Sequence, residues 1–158
     1  MAYHRWPKSP HSQVEAIFHC IRAVRQKKSE SADAIRSFGT WNSYRKEVHK
    51  FVGVCMSVDP AMSLLDTEFV EEQLTVYLES KLGRYVLKER SAQTYKTSLS
   101  AMGKFEIALN TYIQTHQLDV RPVDTQHVRQ KFFRLGKLPE FIPCFYTKIK
   151  AIVGVLRI

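Results

Sequence analysis

The side chains that could bind a metal or catalyse a reaction are scattered along this 158-residue chain. Six histidines occur, and neither an H-E-x-x-H motif nor a zinc-finger spacing of Cys and His is present. The glutamates at 68, 71 and 72 are best interpreted as the acidic first turn of a helix, where they face the positive end of its dipole. The sequence therefore predicts no metal, no cofactor and no catalytic centre, so the chain is not expected to be an enzyme.

The three cysteines, Cys20, Cys55 and Cys144, form no C-x-x-C pair. Their odd number argues against a disulfide framework. Each cysteine has apolar neighbours, which favours buried free thiols in the reducing cytoplasm.

Two segments carry a different chemistry, in which cations alternate with short hydrogen-bonding side chains and carboxylates are almost absent. Lys and Arg neutralise phosphates, whereas Asn, Gln, Ser and Thr can reach sugars, phosphates or base edges. We therefore treat ten residues as candidate DNA-binding residues, although an ordinary solvated helix surface is the alternative. In the first segment they are Asn42, Arg45, Lys46, His49 and Lys50, and in the second Gln93, Lys96, Thr97, Ser100 and Lys104.

The charge of the whole chain points to the same class of ligand. Twenty-four Lys and Arg oppose fifteen Asp and Glu, which gives a net charge of +9. Residues 59–80 contain six acidic side chains and no Lys or Arg, whereas residues 81–104 contain six basic side chains and one acidic. Such a surplus attracts polyanions, and nucleic acid is the commonest of them.

The composition and the apolar runs restrict the class of protein. A hydrophobic fraction of 44% with 25% charged residues is typical of a globular domain. No apolar run approaches the roughly 20 residues of a membrane span, and no secretory signal is recognisable at the N-terminus. We expect a cytoplasmic protein without membrane contact.

Apolar residues recur at helical spacing, and no region alternates as a strand would. The expected fold is therefore all-α, with four main helices and two short C-terminal ones. The predicted main helices cover residues 12–28, 40–59, 67–82 and 92–116, with Thr40, Asp66 or Thr67, and Ser91 as N-caps. A basic connector is expected over 81–90, one short helix from Asp124 or Thr125 to Gly136, and another from Pro143.

This pattern divides the chain into an N-terminal arm (1–11), a helical domain (12–118) and a C-terminal helical extension (119–158). The apolar stripes predict a core built largely from aromatic side chains. The residues expected to be buried are Trp41, Tyr44, Phe51, Tyr95, Leu99 and Phe105.

Several stretches resemble the N-terminal core-binding domain, a SAM-like helical bundle, of tyrosine recombinases and phage integrases. The similarity lies in residues 26–51, which include the T-x-x-x-Y pair Thr40 and Tyr44, and continues through 65–70, 76–78 and 91–105. It covers roughly residues 12 to 117. The resemblance implies a bundle that grips one side of a duplex during DNA integration or recombination, with two helices towards the major groove. By order along the chain these correspond to the segments that carry the candidate residues.

The family's strand-cleaving centre lies in a separate C-terminal domain, whose motifs this sequence lacks. The H-x-x-R letters at His19–Arg22 precede the matching region, and Tyr146 has no suitable partners. The expected function is thus a DNA-binding module of a mobile-element type that is catalytically incompetent alone.

The alternative is a helical protein-interaction adaptor. It would use the acidic helix 67–82 or the apolar segment 139–158. That terminal segment could also mediate self-association or contact a missing catalytic domain.

Overall fold

The computed structural model describes residues 6–22, 35 and 37–137. Within these ranges five α-helices account for 74% of the residues, and no strand occurs. The all-α prediction is confirmed. The helices are α1 (Pro10–Cys20), α2 (Phe38–Val58), α3 (Thr67–Val86), α4 (Ala92–Thr115) and α5 (Gln126–Lys137).

Side-chain caps fix the starts of three helices. The oxygens of Ser37, Asp66 and Ser91 accept the backbone N–H groups of the residues three positions later. The predicted cap at Ser91 is confirmed, and Asp66 rather than Thr67 caps α3. The predicted cap at Thr40 is wrong, because Ser37 takes the extended backbone conformation and Thr40 donates its N–H to it.

The ends of α1 differ from the prediction. Its start at Pro10 lies inside the predicted arm, since proline is favoured in a first helical turn. The helix ends at Cys20 instead of residue 28. The Ile21 and Arg22 N–H groups donate to the carbonyls three residues earlier, and the Ile35 N–H donates to the Ile21 carbonyl at 2.7 Å, which joins the end of α1 to a residue distant in sequence.

Helix α3 continues through Gly83 to Val86, four residues beyond the predicted end. Gly83 is buried and keeps a helical backbone, whereas the left-handed residue that follows the helix is Lys88, at φ 61°. The first half of the predicted basic connector is therefore helical.

Helix α4 lies at the centre and contacts each of the other four helices. The Phe51 ring of α2 meets Tyr77 of α3 and Phe105 of α4 edge-on, at centroid distances of 5.3 and 5.7 Å. Trp41 donates its indole N–H to the Phe18 carbonyl of α1 at 2.8 Å. Five of the six predicted core residues are buried, whereas the prediction for Tyr44 is wrong because that side chain is only half-buried.

Helix α5 agrees with the prediction of a short helix ending near Gly136. It docks on α4 through close approaches at two glycines: the Arg129 guanidinium lies over Gly103, and the Tyr95 ring lies against Gly136. Tyr95 also donates its hydroxyl to the Phe132 carbonyl. The predicted helix from Pro143, the segment 139–158 and Cys144 lie outside the described residues.

None of the described helices combines the length and apolarity that crossing a membrane requires. Of the two cysteines in the described ranges, Cys55 is buried as predicted and its burial raises the pKa of the thiol to about 12. Cys20 is exposed, so the prediction of a buried thiol is wrong there.

Candidate nucleic-acid interface

Three of the five candidates on α2, Asn42, Arg45 and His49, form polar contacts with other side chains of the protein. Arg45 forms an ion pair with Glu15 and donates to the Asn42 side-chain oxygen at 2.7 Å. The His49 Nε2 lies 3.0 Å from the same Glu15 carboxylate, and its Nδ1 lies 2.8 Å from the Nδ1 of His11. The Arg45 guanidinium also lies over the Trp41 ring. Arg45 and His49 thus already bind Glu15, although the buried Arg45 Nε has no hydrogen-bond partner among the described residues.

The electrostatics of this cluster favour a charged carboxylate. Burial alone would raise the pKa of Glu15, but the hydrogen bonds and charges of His49 and Arg45 outweigh it and hold that pKa below its ordinary value. Glu15 therefore remains ionised near neutral pH and neutralises part of the positive charge of α2.

The two remaining candidates on α2, Lys46 and Lys50, are exposed. Lys50 has a side chain that is 70% exposed, and its Nζ lies 3.8 Å from Glu47. Such an open pair adds little to stability. These two lysines keep their positive charge at the surface of α2.

Glu47 itself was not a candidate, yet it joins three helices. Its Oε1 accepts from the Tyr77 hydroxyl of α3 at 2.6 Å and from the Ser98 hydroxyl of α4 at 2.8 Å. Lys81 of α3 lies 3.5 Å away with a side chain only 13% exposed. The acidic residue interrupts an otherwise basic stretch of α2, and this interruption was the signal that sequence alone offered.

The protonation states in the Glu47 cluster follow from competing effects. Burial would raise the pKa of Glu47, but the hydrogen bonds from Tyr77 and Ser98 and the nearby lysines lower it overall. The pKa of Lys81 is also lowered, because burial and the neighbouring Arg84 and Lys50 oppose its charge more than Glu47 favours it. The cluster joins three helices, and it holds Lys81 below the surface of the protein.

The candidates on α4 have surroundings different from those of the candidates on α2. Gln93, Lys96 and Ser100 are exposed, whereas Thr97 and Lys104 are half-buried. Lys96 and Ser100 line two neighbouring clefts between α4 and α5. The structure therefore brings part of the α4 set together with α5, a helix from which sequence reasoning took no candidate.

Helix α5 supplies most of the charge on this side. It contains four basic residues and no acidic one, and the signal was visible in its sequence, QHVRQKFFRLGK. Arg129 is used internally, since its Nη2 lies 2.6 Å from Glu106 of α4. Arg134 and Lys137 are exposed.

We define the α4–α5 surface by the residues around the two clefts. The two clefts share Phe133, which is 44% exposed. The Nζ of Lys137 lies 4.3 Å from the centre of the Phe133 ring. Within the described part of the chain, neither Lys96 nor Arg134 forms an ion pair. The members of the surface are the cleft-lining residues Lys96, Ser100, Gln130, Phe133 and Lys137, together with Arg134, the exposed residue that follows Phe133 in α5.

The described residues contain no group of three or more His, Cys, Asp or Glu side chains that could hold a metal ion. Comparisons with family models, with curated proteins and with solved structures give no match to this chain.

Proposed function

We propose that this chain is a duplex DNA-binding module that has no catalytic activity alone and binds DNA through the α4–α5 surface. One observation carries the proposal: neither residues 92–104 nor α5 contains an Asp or Glu. An ordinary solvated helix surface mixes both signs of charge. Among the described residues, the exposed cations Lys96, Arg134 and Lys137 form no ion pair, and phosphates would supply the negative charge near them.

The DNA-contacting residues in this proposal differ in part from the sequence candidates. Lys96 and Ser100 remain, and Arg134 and Lys137 are added from α5. Lys46 and Lys50 of α2 are secondary phosphate contacts, because they are exposed but belong to a different helix. Arg45 and His49 would have to leave Glu15 before binding DNA, so we assign them to the α1–α2 contact instead.

The similarity to recombinase core-binding domains supports the same proposal. In that family a helical bundle grips one side of the duplex while another domain cuts the strand. A helical bundle with a basic surface would suit that gripping role in DNA integration or recombination.

Fluorescence anisotropy with a labelled duplex across a salt titration tests the proposal. The logarithm of the binding constant should fall steeply with the logarithm of salt concentration. Lys96→Ala and Lys137→Ala should each reduce this slope by about one, because one phosphate contact is lost.

The matched control is Lys8→Ala. Lys8 lies two residues after Trp6, whose ring contacts Tyr112 near the end of α4. Lys96, in contrast, lies in the first turns of α4. Sixteen residues of helix separate Lys96 from Tyr112, roughly 24 Å. The control should keep the wild-type slope. Weak binding that is insensitive to salt would contradict the proposal.

A protein-interaction adaptor is the second candidate, and one observation favours it. Helix α3 exposes Val76 at 52%, with Glu72 one turn before it and Glu79 one turn after it. An apolar residue between carboxylates suits a basic, partly apolar partner. This function would be preferred if duplex binding proves weak at low salt.

A further inference from the structure

We infer that the cleft between the start of α4 and the end of α5 binds one unpaired DNA base. The inference rests on the proposed function and deepens it, since it specifies the form of DNA preferred. The cleft encloses about 270 Å³. Three aromatic rings and two lysines line it: Tyr85, Tyr95, Phe133, Lys96 and Lys137.

One wall of the cleft is held rigidly. The rings of Tyr85 and Tyr95 stack with a centroid distance of 5.3 Å and an interplanar angle of 13°. Tyr95 donates its hydroxyl to the Phe132 carbonyl, and the absence of a side chain at Gly136 lets α5 lie directly against the ring. A rigid aromatic wall loses little conformational freedom when a flat ligand binds.

The other wall is open and charged. Phe133 is 44% exposed, and the Lys137 Nζ lies over its ring. Lys96 stands on the opposite helix at the same cleft. Aromatic rings flanked by cations match a nucleotide, because the base stacks on the rings and the adjoining phosphates bind the lysines.

The size of the cleft indicates which bases could enter. It is slightly smaller than the roughly 300–1,000 Å³ of sites for drug-sized ligands, so it suits a single base rather than a base pair. In an intact duplex both faces of each base are covered by neighbours. Only a base that is unpaired, at a bulge or a strand end, can be inserted without the cost of unstacking it.

The test compares two duplexes that differ only by one extrahelical 2-aminopurine, a fluorescent base that is quenched when it stacks on aromatic rings. Anisotropy measures the affinity of the full chain for each duplex, and 2-aminopurine fluorescence reports stacking. We expect wild-type protein to bind the bulged duplex about tenfold more tightly, the order of one stacking contact. Its fluorescence should fall on binding.

Phe133→Ala should abolish most of this preference and the quenching. The matched control is Phe38→Ala, which removes another exposed aromatic ring, at the start of α2, and should retain both signals. Circular dichroism establishes that each variant is folded. Replacing Phe133 by Leu should restore less than half of the preference, because Leu fills space without a π-face.

The outcomes separate the two proposals. Equal affinity for both duplexes, or a preference that survives Phe133→Ala, overturns the base-binding inference and leaves duplex binding intact. Failure to bind either duplex overturns both. Binding of the bulged duplex with unquenched 2-aminopurine also overturns the inference, because the base would then lie outside the cleft.

Discussion

Two glycines inside helices of this protein have opposite surroundings. A Cβ at Gly53 of α2 would meet nothing within 4 Å, whereas a Cβ at Gly136 of α5 would lie 2.5 Å from the Tyr95 ring. Gly53→Ala should stabilise the fold by about 0.5–1 kcal/mol, because alanine loses less backbone entropy in a helix. Gly136→Ala should destabilise it by about 1–3 kcal/mol through overpacking. Urea unfolding of both variants measures the two effects.

The pair forms its own control, since both changes add the same methyl group to a helical glycine, Gly53 in the middle of α2 and Gly136 in the last turn of α5. Equal effects on the free energy of unfolding would mean that helix propensity alone determines the effect of both substitutions. They would also mean that α5 does not lie against Tyr95. A gain at Gly136 would contradict the packing described above.

At the scale of single residues, the sequence predicted the position of a side chain on its helix better than the residues that this side chain contacts. Helical spacing places Asn42 and His49 opposite the aromatic stripe of α2 and Arg45 on its flank, where the Arg45 guanidinium lies over the Trp41 ring. It could not predict that α1 covers their side of the helix. The charged residue that meets them, Glu15, comes from α1, and no spacing rule relates the two helices.

At the scale of elements, Glu47 connects α2 with α3 and α4. Its pKa is lowered on folding, so ionised Glu47 stabilises the protein above the ordinary value of 4.5. That contribution is lost as the pH falls through the lowered pKa. Glu47→Gln should therefore cost about 1–3 kcal/mol at pH 7, because charge-assisted hydrogen bonds are weakened. The cost should shrink in acid.

Urea unfolding at neutral pH and at about pH 3 measures how the cost of Glu47→Gln changes with pH. Glu68→Gln is the matched control, because it neutralises an exposed carboxylate in the first turn of α3. The control should change the free energy of unfolding little at either pH. A cost at Glu47 that is the same at both pH values would show that its charge does not matter.

Helix positions were predictable from apolar spacing, whereas helix ends were less so. Gly83 was taken as a terminator, but it is buried and helical, and α3 continues to Val86. The end of α1 depends on pairing with Ile35, a contact between distant residues. Ser91 succeeded because its cap is purely local.

At the scale of the whole molecule, the start of α3 and the α4–α5 surface expose charges of opposite sign. Glu68 and Glu72 are exposed on α3, and Lys96 and Lys137 are exposed at the α4–α5 surface. Saturating the protein with DNA should protect Lys96 and Lys137 from acetylation and leave Lys8 reactive, as measured by mass spectrometry. Carbodiimide labelling of Glu68 and Glu72 should be unchanged. Protection of Lys8 alone would contradict the proposed surface.

The hydrogen bond between Ile35 and Ile21 has a consequence for the chain between them. Because this contact joins the residues on either side of 22–34, we expect the placement of α1 relative to α2 to change little when that stretch is lengthened. The entropy of closing a loop grows only logarithmically, about 0.6 kcal/mol for each doubling of length. A peptide tag inserted there would be tolerated, which offers a position for a label that leaves the α4–α5 surface untouched.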